Sequence, residues 1–338
     1  MSRRWIMLTG LLASLLLAGH VLRGAVTASL PPLSMWGDSQ TAPGSGYGDR
    51  LASMMPGRRS YNLGIGGQRL EMIAARMGAV PVTLRRKLVL PGSGPVDLGA
   101  DDLSIDLLRG PSDPLSVRIS VGGVQAALVH RPGADPKHGL YTLSRLHAAQ
   151  GTTSLDAGTP VMVLSGTVRG DDPSGAEPLP ALFKDVVVLR AGRNNLNDPG
   201  YDIDQGLRLV GRMVDTVQRH TRKIVIIGQM LGYGDLPPQQ GGGSTGAERS
   251  AALLALQARW NRELAQRFPG YYADVQAYHV AHGGGESVTL PAQGGTARFT
   301  VLTRTAPLPV LADGVHENAV GQQQTAEQVK AIIAARNY

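Results

Sequence analysis

The sequence predicts an α/β fold, a doubly wound parallel sheet interrupted by a β-rich segment. Three observations lead there. Short apolar strands alternate with amphipathic helices over residues 29–79 and again over 181–338. Asp185-Val186-Val187-Val188-Leu189 is a continuous apolar run, as expected of a strand covered on both faces. Between the two halves, residues 80–180 lose helical periodicity and show short β-prone runs separated by Gly/Pro turns, which predicts a small sandwich-like subdomain inserted into the α/β domain.

The first half opens with an apolar approach, Leu33 to Trp36, read as a strand. Gly37-Asp38-Ser39-Gln40 follows as a tight turn, because glycine adopts backbone angles that other residues avoid. A helix is predicted over Tyr47–Met55, so Ser39 falls on a strand-to-helix turn, where an α/β fold exposes a nucleophile. Ser60–Leu63 reads as a second strand. It runs through Gly64-Ile65-Gly66-Gly67 into a helix, Gln68–Met77, with Leu70, Ile73 and Met77 on one face. A glycine turn opening a helix presents free N–H groups to a phosphate or an oxyanion. The dinucleotide pattern would need a glycine at position 69, which holds Arg69.

In the β-rich segment the predicted strands are Val80–Leu84, Lys87–Leu90, Leu115–Val121, Val124–His130, Leu140–Leu146 and Val161–Val168. Pro91 to Pro95 reads as a turn. His130, His138 and His147 lack metal-ligand spacing with any carboxylate and read as structural. In the last part, helices are predicted over Asp204–His220, Ala247–Arg267 and Ala319–Arg336, with strands at Lys223–Gly228 and Tyr271–Val275. Gly242-Gly243-Ser244-Thr245-Gly246 mimics a nucleophile elbow but lacks the preceding strand, and Gly283-Gly284-Gly285 reads as a loop. Asp313-Gly314-Val315-His316 lies just before the closing helix. A carboxylate there can fix the imidazole tautomer and leave the second ring nitrogen to take a proton from a serine.

Composition narrows the function classes. The 338 residues include no cysteine, which excludes disulfides, thiolate zinc sites and a cysteine nucleophile. The net charge is +7. Arg3, Arg4 and Arg23 precede Ser29 with no acid among them, so the rest carries 30 basic against 26 acidic residues. The basic residues are scattered and aromatics make up 4%, which argues against nucleic acid as a partner. At the N-terminus, Arg3-Arg4, the apolar run Ile6–Gly19 and Val26-Thr27-Ala28 have the three-part layout of a secretory signal over residues 1–28. This predicts a periplasmic or secreted protein starting near Ser29. The rival reading is an uncleaved anchor over residues 5–22 in the inner membrane, the one predicted membrane contact.

Taken in order, the motifs resemble the blocks of the SGNH (GDSL-type) hydrolase family. Gly37-Asp38-Ser39 is similar to the first block, Asn62-x-Gly64-x-x-Gly67 to the second, Gly192-x-Asn194-Asn195 to the third and Asp313-x-x-His316 to the last. The resemblance covers residues 33–78 and 181–338; β insertions like the one here occur in some phage and bacterial members. It implies a flavodoxin-like fold with Ser39 as nucleophile, His316 as general base and then acid, and Asp313 orienting His316. It also implies an oxyanion hole from the Ser39 and Gly67 N–H groups and the Asn194 side chain, with no metal or cofactor. Two positions depart from the pattern: Gln40 stands where leucine is usual, and Asn195 where the third block has aspartate.

The expected activity is hydrolysis of carboxylic esters, with O-acetyl groups on a carbohydrate as the leading substrate. The alternatives are a lipid or short-chain acyl esterase, an acyltransferase to a glycan, and a wall-binding protein with a vestigial site.

Overall fold

The computed structural model describes residues 30–110, 114–131, 140–236, 244–292, 295–303 and 307–338. The predicted signal or anchor segment, His138 and the start of the Gly242–Gly246 look-alike lie outside them. Strand β1 (Leu30–Gly37) leads through a turn to helix α1 (Gly48–Met54), and β2 (Arg58–Gly64) leads to α2 (Leu70–Arg76). The β-rich segment follows as β3 (Val82–Thr83), β4 (Leu88–Leu90), β5 (Pro95–Gly99), β6 (Leu115–Val121), β7 (Val124–Arg131), β8 (Leu140–Arg145), β9 (Thr153–Leu155), β10 (Pro160–Val163) and β11 (Val168–Arg169). The chain then returns through α3 (Leu179–Leu182), β12 (Val186–Arg190), α4 (Ile203–Gln218), β13 (Ile224–Ile227), α5 (Ser244–Arg267) and β14 (Tyr272–Ala273). It ends with α6 (Val275–Ala281), the ribbon β15 (Gly285–Ala292) and β16 (Gly295–Leu302), and α7 (Ala319–Ala335).

The central sheet has the order β14-β13-β12-β1-β2, with parallel registers from β1 to β12, β12 to β13 and β13 to β14. Counted along the chain, this is the 2-1-3-4-5 order of the flavodoxin-like sheet, and the order reverses between β1 and β12. Alternate side chains explain why β12 is apolar throughout. Trp36, Val187, Leu189, Ile224 and Ile226 face α2, α4 and the Trp260 and Leu264 side chains of α5. Leu33, Met35, Val186, Val188, Val225 and Ile227 face Leu51, Val275, Ala326, Val329 and Ile333. Helices therefore cover both faces, and the strand ends at the reversal are left for a site.

The β-rich segment forms one antiparallel sheet, β3-β10-β6-β7-β8-β5 with β11 beside β6, and a two-stranded ribbon, β4-β9. Leu88, Leu90 and Leu155 of the ribbon share a core with Val117, Ile119 and Leu128 of the sheet. Ile65 and Ala75, from the α/β half, belong to that same core. Residues 31–338 accordingly form one compact unit.

Several local expectations need correction. Pro95 begins strand β5 at the sheet's edge, where a missing N–H costs nothing. The run from Val161 to Val168 divides into β10 and β11. The stretch predicted as a strand to Val275 stops at Ala273, because the Asp274 carboxylate accepts the Ala277 N–H and caps α6. The region after Gly283 carries a ribbon whose Leu290 and Val301 pack on Leu254 of α5; Pro291 and the glycines around it masked the alternation. No helix among the described residues is long and apolar enough to cross a membrane.

Trp260 is fully buried against the loop after β12: a Cβ added to Gly192 would stand 2.9 Å from its ring. Trp260→Ala should therefore destabilise the fold by about 3–5 kcal/mol, read as a lowered urea midpoint at unchanged slope.

Candidate active site

The Ser39 turn begins at Gly37, whose register partner across the reversal is Arg190. A Cβ at 37 would stand 2.2 Å from Thr41 Oγ1 and 2.4 Å from the Arg190 carbonyl oxygen, so only glycine lets the chain pass. The Asp38 carbonyl accepts the Thr41 and Ala42 N–H groups, each at 3.0 Å, and its carboxylate accepts the Gln40 N–H at 3.0 Å. Ser39 is thereby held at the head of a short helical turn. Asp38 itself is buried. Burial pushes its carboxyl above the usual range, against the opposing pull of the Gln40 N–H and of Arg190, Arg193 and His316.

His316 Nε2 lies 2.9 Å from Ser39 Oγ, and His316 Nδ1 lies 2.8 Å from Asp313 Oδ2. The acceptor-only carboxylate fixes the proton on Nδ1, so Nε2 is the lone pair facing the serine. Asp313 Oδ1 accepts the N–H groups of Val315 at 2.8 Å and His316 at 2.7 Å. Partial burial raises the Asp313 carboxyl, but these N–H groups and the imidazole outweigh it and hold the group below its ordinary value.

The His316 loop is clamped at both ends. Ala312 donates to the His316 carbonyl at 2.8 Å, and Asn318 donates to the Val310 carbonyl at 2.9 Å. The Asn318 side chain caps α7 by accepting from Val320 and Gly321. Two side chains absent from the sequence-level site then join this loop to the sheet. The Gln40 side chain is buried and donates to the Val315 carbonyl at 3.0 Å, linking the serine turn to the residue before His316. Glu317, the residue after it, is fully buried against Arg190 at 3.3 Å, His279 Nε2 at 3.3 Å and Thr325 Oγ1 at 2.5 Å. Burial raises the Glu317 carboxyl, but Arg190 and His279 overcome that and bring it down to about 2. The sequence carries faint signals for both: a charge closing an apolar strand at Arg190, and a carboxylate adjoining the predicted base.

The second turn approaches from the opposite side. Ile65 donates to the Gly37 carbonyl at 3.1 Å, which sets residues 65–68 beside the serine turn. Gly67 has φ +74°, a conformation that favours glycine. Buried Arg76 braces the loop from below, donating to Gln68 Oε1 at 2.8 Å and the Leu63 carbonyl at 2.9 Å; burial lowers its guanidinium to about 9. Asn194 Nδ2 donates one hydrogen to the Gln68 carbonyl at 2.9 Å and keeps a second. The backbone N–H groups of Ser39 and Gly67 donate to no acceptor among the described residues. Asn195 ties the third block to the second: its Oδ1 accepts the Leu70 N–H at 2.8 Å, and its Nδ2 donates to Glu71 at 3.0 Å. All of the sequence-predicted site residues thus come together at the reversal of strand order, where open α/β sheets bind ligands.

No family model matches the chain, and no curated protein matches it. Among solved structures it is similar to a putative acylhydrolase from Bacteroides fragilis, at 12% identity over 92% of each chain and TM-score 0.39. It is also similar to a peptidoglycan O-acetylesterase, at 14% identity over 90% of this chain and 91% of that one, TM-score 0.30. A salicylyl-acyltransferase from a tetracycline biosynthetic pathway matches at 13% identity over 89% and 90%, TM-score 0.26. These likenesses are distant, and the functional reading rests on the geometry of the site.

Two outcomes follow from the clamps. Gln40→Leu removes the link to Val315 while keeping an apolar side chain in place; kcat on a chromogenic ester should fall roughly ten- to a hundredfold at unchanged circular dichroism. Glu317→Gln leaves Arg190 without its buried counter-charge and should cost about 3–5 kcal/mol at neutral pH. The folded-state pKa of Glu317, about 2, lies below the ordinary 4.5, so its ionic contribution is complete above pH 4.5 and is lost as pH falls toward 2. The gap between wild type and variant in urea midpoint should accordingly narrow with acidification below pH 4.5.

Proposed function

We propose that the protein is an exported serine esterase of the SGNH type, hydrolysing carboxylic esters and most naturally O-acetyl groups on a carbohydrate. The observation that carries the reading is the unbroken relay from Ser39 Oγ through His316 to Asp313, 2.9 and 2.8 Å, together with Ser39 and Gly67 N–H groups that have no acceptor among the described residues. A serine hydroxyl is a weak nucleophile until a base takes its proton, and this arrangement supplies the base, its orientation and a place for the developing charge.

Ser39 Oγ attacks the ester carbonyl carbon as its proton passes to His316 Nε2. The Ser39 and Gly67 N–H groups and the free Asn194 Nδ2 hydrogen stabilise the oxyanion. Asp313 stabilises the imidazolium without taking its proton. Collapse of the intermediate breaks the bond to the alcohol oxygen, which leaves with the proton from Nε2. Water then attacks the acyl-serine, His316 takes its proton, and the carboxylic acid departs as Ser39 recovers its hydrogen.

Export to the cell envelope is supported by the N-terminal signal-like segment, and a carbohydrate ester as substrate by that location. The partner is then an acylated polysaccharide, with no part for nucleic acid.

The chain from Ser29 and its Ser39→Ala variant should be compared for hydrolysis of a chromogenic acetyl ester and for acetate release from acetylated polysaccharides. Both activities should vanish in the variant; acetate release that survives it sinks the proposal. Asn194→Ala should retain ester binding and lose roughly 10²–10³ in kcat.

A further inference from the structure

In the proposed mechanism Asn194 gives one hydrogen to the oxyanion, and its other contact sets where that hydrogen points. The amide group is planar. The hydrogen it donates to the Gln68 carbonyl at 2.9 Å therefore constrains the direction of the second. Whatever places the Gln68 carbonyl thus aims the donor. That carbonyl follows a permissive stretch. Gly66 and Gly67 precede it, Gly67 at φ +74°, and the Gln68 N–H reaches the Ile65 carbonyl only at 3.4 Å. Asn195 grips the chain two residues further on, at the Leu70 N–H, and leaves the peptide of Gln68 to be held by other bonds.

Those bonds come from the Gln68 side chain, which is fully buried. Its Nε2 donates to the Leu107 carbonyl at 3.0 Å and to the Arg109 carbonyl at 3.1 Å, and its Oε1 accepts from Arg76 Nε at 2.8 Å. The two carbonyls are themselves fixed from the β-rich segment. Between them, the Leu108 N–H donates to the Tyr141 hydroxyl at 2.7 Å, and that hydroxyl donates to Asp106. Tyr141 is buried on β8. One amide thus ties the turn before α2 to α2 itself and to the β-rich sheet.

We infer that Gln68 is a positioning residue that aims Asn194 at the oxyanion, and that the β-rich segment serves the reaction through it. The inference rests on the serine-esterase reading, in which Asn194 is an oxyanion donor. The effect belongs to the transition state, because the donor is aimed at charge that develops only there. Loss of such a donor removes roughly 10²–10³ in kcat. A donor that is present but misaimed by about 1 Å can still forfeit roughly 10².

The test uses one chromogenic acetyl ester with wild type, Gln68→Leu, Gln68→Met, Asn194→Ala, the Gln68→Met/Asn194→Ala double variant and Ser39→Ala. It also measures Ki for a trifluoromethyl ketone, whose adduct with Ser39 places an oxyanion in the same position. Both Gln68 variants should lose roughly ten- to a hundredfold in kcat while KM stays within about twofold. Ki should rise by the factor that kcat/KM falls, as for any mimic of the transition state. With Asn194 already replaced by alanine, Gln68→Met should remove no more than about twofold further. A partial loss of folded protein lowers kcat but moves neither KM nor Ki, so the readings hold even where a variant folds poorly; methionine, close to glutamine in size, limits that loss. A kcat near wild type in the Gln68 variants, a fall in kcat at unchanged Ki, or losses that multiply in the double variant overturns the positioning role and leaves the esterase standing. Wild-type hydrolysis that persists in Ser39→Ala, is absent altogether, or is unaffected by Asn194→Ala overturns the proposed mechanism and the inference with it.

Discussion

The buried pair between Arg190 and Glu317 is the contact on which the site's geometry turns. Arg190 ends the central strand and sits in register with Gly37, one residue before the serine turn proper. Glu317 adjoins His316. The 3.3 Å contact therefore fastens the histidine loop to the strand end paired with Gly37. Both side chains are withdrawn from water, and desolvation makes such a pair costly unless further bonds satisfy it. Thr325 and His279 add bonds to Glu317 Oε1 from α7 and α6, while Glu317 Oε2 and Arg190 Nε and Nη2 stay unpaired among the described residues. His279 is in turn held by Gln324 at 2.7 Å. Two helices and one strand end are thus committed to one carboxylate, which makes position 317 as consequential as the histidine beside it.

The oxyanion side is built by a different device, the completion of backbone hydrogen bonding. Residues 63–68 form a glycine-rich loop with few side chains to anchor it. Arg76 and Gln68 replace them: the guanidinium bonds the Leu63 carbonyl, and the Gln68 amide bonds the Leu107 and Arg109 carbonyls at 3.0 and 3.1 Å. Buried carbonyls rarely go unpaired, and these side chains satisfy them. The β-rich segment enters the site's support here, since Leu107 and Arg109 lie within it.

Much of this was legible in the sequence, for physical reasons that differ by element. The strands and helices of the α/β half announce themselves because each is buried on a regular period. The predicted helix over Tyr47–Met55 is matched by α1, bounded by those two residues as caps. Ser39, Gly67 and Asn194 stand just past strand ends, and Asp313 and His316 just before the last helix, which is what made them visible. The ribbon β15–β16 was not legible, because its strands are half exposed and end in glycine and proline. Gln40, Arg190, His279 and Glu317 were missed for a more general reason. Each acts through a partner far away in sequence, Gln40 with Val315 and Arg190 with Glu317, and single-chain periodicity carries no information about such pairings.

The exposed members of the relay show why those hidden partners matter. The side chains of Asp313 and His316 are 58% and 36% exposed. A contact so open to water contributes no more than about 1 kcal/mol, too little to hold an imidazole in one orientation. The orientation comes instead from directional bonds that solvent competes with poorly. Asp313 Oδ1 accepts two N–H groups of its own loop, the Val315 carbonyl is held by Gln40, and Glu317 is locked beneath. The departure at position 40 acquires a meaning in this light. A leucine there could fill the same volume but could not grip a carbonyl, and this chain spends a buried amide, with its Oε1 unpaired among the described residues, to fix the loop that carries His316.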